Sequence, residues 1–220
     1  MIVIDGGNGT GKTTQFKLLL ERFHKEDLDV ITMDFPQYGK KSCGAVEEYL
    51  NGKYGSADDV GPYRGSIFFA VDRYDASFEI RKALDEGKIV LCNRYVTANM
   101  AHQGGKIDDD AERNKYFEWL KDLEFRMFGI PQPDINIFLH VPVDMALQLV
   151  DQKGQRDYIG EKKRDLHEAD VKQEQNAEKV YAQLAGMIPN SFMIECAPDN
   201  KLMKPEEVHE QIWAVVSKHL

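Results

Sequence analysis

Long hydrophobic runs are missing from this chain, and its start lacks the basic residues and small-residue cleavage site of a secretory leader. With 42% hydrophobic and 30% charged residues, the composition is that of a soluble globular protein, and a cytoplasmic location is expected. Cysteine is scarce. Cys43, Cys92 and Cys196 are odd in number, far apart and free of any CxxC spacing, which excludes a disulfide framework or a zinc site and leaves reduced, partly buried thiols. Basic charge is in deficit, with 28 Lys and Arg against 37 Asp and Glu, a net charge of -9. Such a surface repels backbone phosphates, so neither nucleic acid nor membrane is expected as a partner, and any anionic ligand has to be captured locally. His24, His102, His140, His167, His209 and His219 form no ligand-spaced cluster, and His140 reads as a packed strand residue.

Internal repeats and low-complexity linkers are absent too, so the 220 residues read as one domain. Five short apolar runs punctuate it: "MIVI" at the start, "VITM" from Val30, "IVLC" from Ile89, "INIFLHV" from Ile135 and "SFMIEC" from Ser191. Each has strand length and little polar alternation, as suits strands covered on both faces. Helical periods lie between them. Phe16, Leu19, Leu20 and Phe23 form one stripe, and Val208, Ile212, Val215 and Val216 another, with Pro205 placed as a first helical residue. Strands alternating with helices imply right-handed crossovers and a parallel sheet, an α/β architecture. The charged stretch from Lys153 to Asp170 reads as an inserted loop or lid.

The segment "GGNGTGKTT" follows the first strand and precedes the first helical stripe. It fits G-x-x-x-x-G-K-[ST] through Gly6, Gly11, Lys12 and Thr13, in the context that motif requires. Successive main-chain N–H groups of Gly6, Gly7, Asn8, Gly9, Thr10, Gly11, Lys12, Thr13 and Thr14 converge on one anion, and the helix adds its positive end. Lys12 then reaches the terminal phosphates of a nucleotide such as ATP, and the Thr13 hydroxyl ligates its magnesium.

A second anion site is expected beside it. Arg94 stands at the C-terminal end of the third strand, where side chains enter the crevice of a parallel sheet, and is the candidate for a second phosphate. Phe35, Pro36 and Tyr38 follow the second strand as an aromatic wall. Phe69 and Arg73 lie four apart on a helical segment and together suit a flat base with hydrogen-bonding edges, although, taken alone, core packing for the ring and a surface ion pair with Asp72 or Asp75 are the plainer account. Asn99 and Gln103 recur at helical spacing and read either as base contacts or as caps.

The motifs "GGNGTGKTT", "FPQY", "FAVDR", "NRYVTANMAHQG" and "RDLHEADVKQEQNAEKVYAQL", in this order, resemble those of the thymidylate kinase family. That resemblance implies a three-layer P-loop kinase fold with a five-stranded parallel sheet and a mobile lid near 153–170. It also implies magnesium-dependent transfer of the ATP γ-phosphate to dTMP, and a homodimer of packed helices. By the same resemblance Phe69 stacks on thymine, Arg73 approaches the base edge, Asn99 contributes to base recognition, and Arg94 with the Phe35-Pro36 turn positions the 5'-phosphate. Tyr181 falls near the sugar, and Asn176 where some members carry a substrate contact. Three positions depart from the family pattern: Asn8 and Asn93 stand where an acid is usual, and Gly9 where one branch places an arginine. Without that arginine, the charge on the transferring group is expected from the lid, with Arg156 and Arg164 as catalytic candidates beside Lys12 and Arg94. A kinase for another deoxynucleotide or a deoxynucleoside, and a nucleotide sensor with little turnover, are the alternatives.

Overall fold

A computed structural model of the protein describes residues 1–153 and 171–220. The expected lid over 153–170, with Arg156 and Arg164, lies outside the described residues but for Lys153, the last residue of a helix. Five strands, β1 (Ile2–Gly6), β2 (Val30–Asp34), β3 (Ile89–Asn93), β4 (Ile135–His140) and β5 (Ser191–Glu195), coincide with the five apolar runs. They pair in parallel in the order β2-β3-β1-β4-β5. The helices are α1 (Lys12–Lys25), α2 (Gly44–Leu50), α3 (Ala57–Asp85), α4 (Val96–Gly104), α5 (Asp110–Lys121), α6 (Val143–Lys153), α7 (Val171–Met187) and α8 (Pro205–Val216). None of the described helices is long and apolar enough to cross a membrane.

The period of two along each strand divides the core between the sheet's faces. Ile2, Ile4, Leu91, Ile135, Ile137 and Leu139 meet Leu19 and Phe23 of α1, Ala146 of α6, and Val208, Ile212 and Val216 of α8. Val3, Val90, Cys92 and Phe138 point the other way, into Ile80 of α3, Met100 of α4, Phe117 of α5 and Leu184 of α7. Phe16, Leu20 and Val215 pack against the first of these layers only in part. The outer strands β2 and β5 are less covered than the three between them. All three cysteines are free and buried, and burial pushes the thiols of Cys43 and Cys196 up to about 12.

From β1 the chain builds β2 and β3 on one side and then crosses to build β4 and β5 on the other, so the central strand is a topological switch point, where α/β sheets open a crevice. The register Ile4↔Asn93 brings the loop after β1 beside the residue after β3.

His140, at the end of β4, is a partly exposed link and not a packed core residue. Its Nε2 meets Glu178 Oε1 of α7 at 2.7 Å, and its Nδ1 meets the Glu195 carboxylate of β5. Burial disfavours the imidazolium, but Glu195 and Glu178 outweigh it and raise the pKa above the ordinary 6.5. A raised folded value adds stability in full below the unfolded pKa, lost as pH rises through the folded one, and solvent screening keeps the effect small. Thermal stability followed from pH 6 to 8.5 should therefore fall more steeply in the protein than in His140→Gln, and parallel curves would show that the link is energetically silent.

Candidate active site

The loop after β1 enters α1 through Gly11, an N-cap in the left-handed region with no side chain to compete for the first-turn N–H groups. No acidic residue stands in that first turn, which leaves the positive end of the helix available to an anion. Lys12 is buried, and its Nζ donates to the carbonyls of Gly6, at 3.0 Å, and Gly7, at 2.5 Å. Thr10 Oγ1 closes the turn onto Gly7 O at 3.0 Å, while Thr13 is exposed and Thr14 half-buried at the loop's open side. Gly9 is demanded twice. Its φ is +79°, and a Cβ there would stand 2.2 Å from the carbonyl oxygen of Ala146 in α6. No arginine fits at that position.

Arg94 follows β3 with φ of 64°, an uncommon conformation for a side chain, held by its N–H on Ile4 O at 2.9 Å. Its Nη2 donates to Asn8 Oδ1 at 2.5 Å, and its Nη1 meets His102 Nε2 of α4 at 3.0 Å. Burial works against the charge, but Tyr181, Asp5, Glu174 and Tyr38 outweigh it and hold the Arg94 pKa above the ordinary arginine value. Asp5 itself is buried, accepting from Tyr181 Oη and Thr97 Oγ1, each at 2.7 Å, and from Gly6 N at 2.9 Å. Asn8 and Asn93, at the two positions where the resemblance expects an acid, each touch an acid. Asn8 Nδ2 donates to Glu174 Oε1 at 2.9 Å, and Asn93 Nδ2 to Asp34 Oδ1 at 2.8 Å.

On the far side of Arg94, α3 carries Phe69 and Arg73. Phe69 packs edge-on to Tyr49, with ring centroids 6.1 Å apart, in a small cluster under the loop after β2. Arg73 makes no surface pair with Asp72 or Asp75. It is buried and takes both oxygens of buried Glu124 from Nε and Nη2 at 2.6 Å, leaving Nη1, 3.5 Å from Tyr95 O. Asp72 instead accepts from Gln37 N at 2.8 Å and from Ser42 Oγ at 2.7 Å, fastening the Phe35-to-Tyr38 turn to the helix. In that turn Phe35 is buried in the core against Tyr95, and Pro36 and Tyr38 are half-buried.

Asn99 and Gln103 are both buried on α4. Asn99 Nδ2 donates to Ser66 O at 3.2 Å, and Gln103 Oε1 accepts from Lys106 Nζ at 2.8 Å. The other halves of the two amides, Asn99 Oδ1 and Gln103 Nε2, have no partner among the described residues. Tyr181 stands edge-on to His102, with ring centroids 6.1 Å apart. Asn176 is spent on the residue that caps α4, donating to Gly105 O at 2.9 Å.

Sequence reasoning assigned no role to Glu124, Glu174, Asp34, His102 or Lys106. Glu174 had a signal: it stands seven residues before Tyr181, two turns away on the same face of α7. Glu124 had none, because it lies beyond α5 in a segment without a motif. Lys106 sits under Gln103 and Tyr49, its Nζ 2.8 Å from Tyr49 Oη, and burial pulls its pKa down to about 8.

A glycine loop opening onto a helix at the switch point of a five-stranded parallel sheet, faced by an arginine after the neighbouring strand, defines a P-loop kinase fold. Within that class the sequence model described as Thymidylate kinase matches residues 4–212. A thymidylate kinase of Mycobacterium tuberculosis is 32% identical over 187 residues, covering 84% of this chain and 85% of the relative. A probable thymidylate kinase of Pyrococcus abyssi is 29% identical over 220 residues, covering 100% of this chain and 96% of the relative. The solved thymidylate kinase of Candida albicans superposes with a TM-score of 0.76 at 17% identity, covering 99% of this chain and 91% of that one, and bears on the fold. The chain belongs to the thymidylate kinase family, and it is a nucleoside monophosphate kinase.

The Arg73–Glu124 pair gives a stability prediction. Glu124→Ala leaves a buried guanidinium uncompensated, at a cost of about 3–5 kcal/mol. Urea unfolding of the variant should show that loss. A change below about 1 kcal/mol, the range of an exposed pair, would mean that Arg73 finds water or another acceptor.

Proposed function

We propose that the enzyme transfers the γ-phosphate of ATP to dTMP, with magnesium, and does so as a cytoplasmic homodimer. The observation that carries this reading is the 2.5 Å contact between Asn8 of the glycine loop and Arg94 beyond β3. Two anion sites one side chain apart suit a donor phosphate and an acceptor phosphate held for in-line transfer, which asks for positioning and positive charge more than for covalent chemistry.

In this reading the main-chain N–H groups from Gly6 to Thr14 hold the ATP phosphates, and Lys12 exchanges the Gly6 and Gly7 carbonyls for phosphate oxygens. Arg94 holds the 5'-phosphate of dTMP. Phe69 is the stacking ring for thymine, with Tyr181 toward the sugar. Asn99 Oδ1 and Gln103 Nε2 offer one acceptor and one donor, which suits the N3–H and a carbonyl of thymine, and their lack of partners supports that assignment. Arg73 keeps only Nη1 for the base, since Glu124 takes its fork.

The donor set fits magnesium, a hard cation that binds through oxygen. The exposed Thr13 hydroxyl stands at the open side of the loop, and the Asp34 carboxylate lies at the end of β2, beyond Asn93. Magnesium supplies neutralisation of the phosphate oxygens there. Since Ala146 excludes a side chain at residue 9, the remaining positive charge on the transferring group falls to Arg156 or Arg164 of the lid.

The homodimer reading rests on α3. Tyr63, Ile67, Val71, Tyr74 and Phe78 recur every three or four residues along one face and are 40 to 58% exposed. A continuous apolar stripe of that length suits a second copy of itself packed about a twofold axis.

Three measurements test these statements. ADP release with dTMP, dUMP, dCMP, dAMP and dGMP should favour dTMP, and equal turnover of another acceptor removes the specificity. Arg94→Ala should raise KM for dTMP by about tenfold or more while leaving that for ATP nearly unchanged, and an effect on ATP alone would contradict its role. For the dimer, light scattering should give twice the chain mass, and Ile67→Glu with Phe78→Glu should give the chain mass; a double variant that stays dimeric removes α3 from the interface.

A further inference from the structure

Arg94 depends on Asn8 presenting its carbonyl oxygen, and an amide has no intrinsic preference for which end it presents. The two halves of the Asn8 amide are sorted by what lies on each side. Oδ1 accepts from Arg94 Nη2 at 2.5 Å, while Nδ2 donates to Glu174 Oε1 at 2.9 Å, and the Asn8 main-chain N–H reaches Glu174 Oε2 at 3.4 Å. Glu174 is 4% exposed and Asn8 8% exposed, so both are largely shielded from water. Burial raises the Glu174 pKa, and Arg94, Asn8 and Lys12 pull against it. A carboxylate accepts only, so an ionised Glu174 can hold nothing but the NH2 end of Asn8.

We infer that Glu174 is a positioning residue of the acceptor site: it fixes the orientation of the Asn8 amide and, through it, the guanidinium of Arg94. The chain runs from α7 through the glycine loop to the residue after β3, and so ties three elements into one geometry. It explains why an anion stands close to a site for anions. Its charge works against phosphate at a distance, but without it the Asn8 amide is free to turn and present its NH2 group, a donor, to Arg94, itself only a donor. Positioning and charge therefore predict opposite signs for its removal. If charge dominates, loss of Glu174 tightens phosphate; if the relay dominates, the loss weakens it.

The inference rests on Arg94 holding the acceptor phosphate, and the experiment separates the two. Wild-type turnover of dTMP is measured first, and its absence removes the dTMP kinase reading. Binding of inorganic phosphate to the protein saturated with ADP, which occupies the glycine loop, is followed by calorimetry; it is independent of turnover and decides the relay in either case. Glu174→Gln should weaken phosphate by about tenfold, as expected for a disordered hydrogen bond to a charged group, and raise KM for dTMP alike with a smaller change in kcat and in KM for ATP. Asn8→Asp sets two carboxylates against each other and should be impaired in the same way. The double variant Asn8→Asp with Glu174→Gln reverses the donor and acceptor of that bond, and should return to within about threefold of wild type. Phosphate binding by Glu174→Gln that is unchanged or tighter overturns the inference, as does a double variant no better than Asn8→Asp alone. Thermal unfolding of all three variants separates a loose relay from a loose fold, since the double variant is expected to recover both.

Discussion

The constraint on which this site depends is the parallel pairing of β1 with β3. Ile4 stands in register with Asn93, so the glycine loop and Arg94 leave the sheet at the same end and on neighbouring strands. The Arg94 N–H on Ile4 O continues that pairing one residue beyond the strand. A parallel sheet needs helical crossovers, and those crossovers are what surround the crevice with α1, α3, α4 and α7. The same topology that buries the sheet on both faces therefore also builds the walls of the site.

Charge in this protein is handled by pairing at short range, as its acidic surface requires. Arg73 is tied to Glu124, and the Arg94 charge is favoured by Asp5 and Glu174 nearby while its guanidinium meets Asn8 and His102. Buried pairs of this kind add little net stability over an apolar core, since desolvation offsets most of the attraction. What they supply is orientation. Arg73 bound through two of its nitrogens cannot turn, and Arg94 with a partner on each side of its guanidinium is held in place before any substrate arrives. A guanidinium held in advance has less rotamer freedom left to lose on binding a phosphate.

The fold was legible because its signals are local. Apolar runs of strand length and helical stripes each need only a few consecutive residues, and the order of strand, glycine loop and helix carries the switch point with it. The place of the glycine loop, between β1 and α1, was legible for the same reason. The far side was less so. Phe35 and Arg73 belong as much to the core and to a buried ion pair as to a cleft, and sequence spacing does not distinguish a helix face turned inward from one turned to a ligand. Arg73 finds its partner in Glu124, 51 positions away, and Asn8 finds Glu174 at 166 positions. Contacts of that separation exist only once the sheet has been assembled, and no window along the chain contains both ends.

The two asparagines show how a departure in sequence can be conservative in space. Read singly, Asn8 and Asn93 are losses of negative charge from the crevice. In the folded chain each amide is hydrogen-bonded to a carboxylate from another element, Glu174 of α7 and Asp34 of β2. The charge stays in the crevice, moved outward by one hydrogen bond, and the residue nearest Arg94 becomes an amide with an acceptor end and a donor end. An aspartate at residue 8 would pair with Arg94 directly and would repel Glu174; an asparagine satisfies both at once. Residues 8 and 174 are thus bound by a shared electrostatic requirement, and each is intelligible only with the other in view.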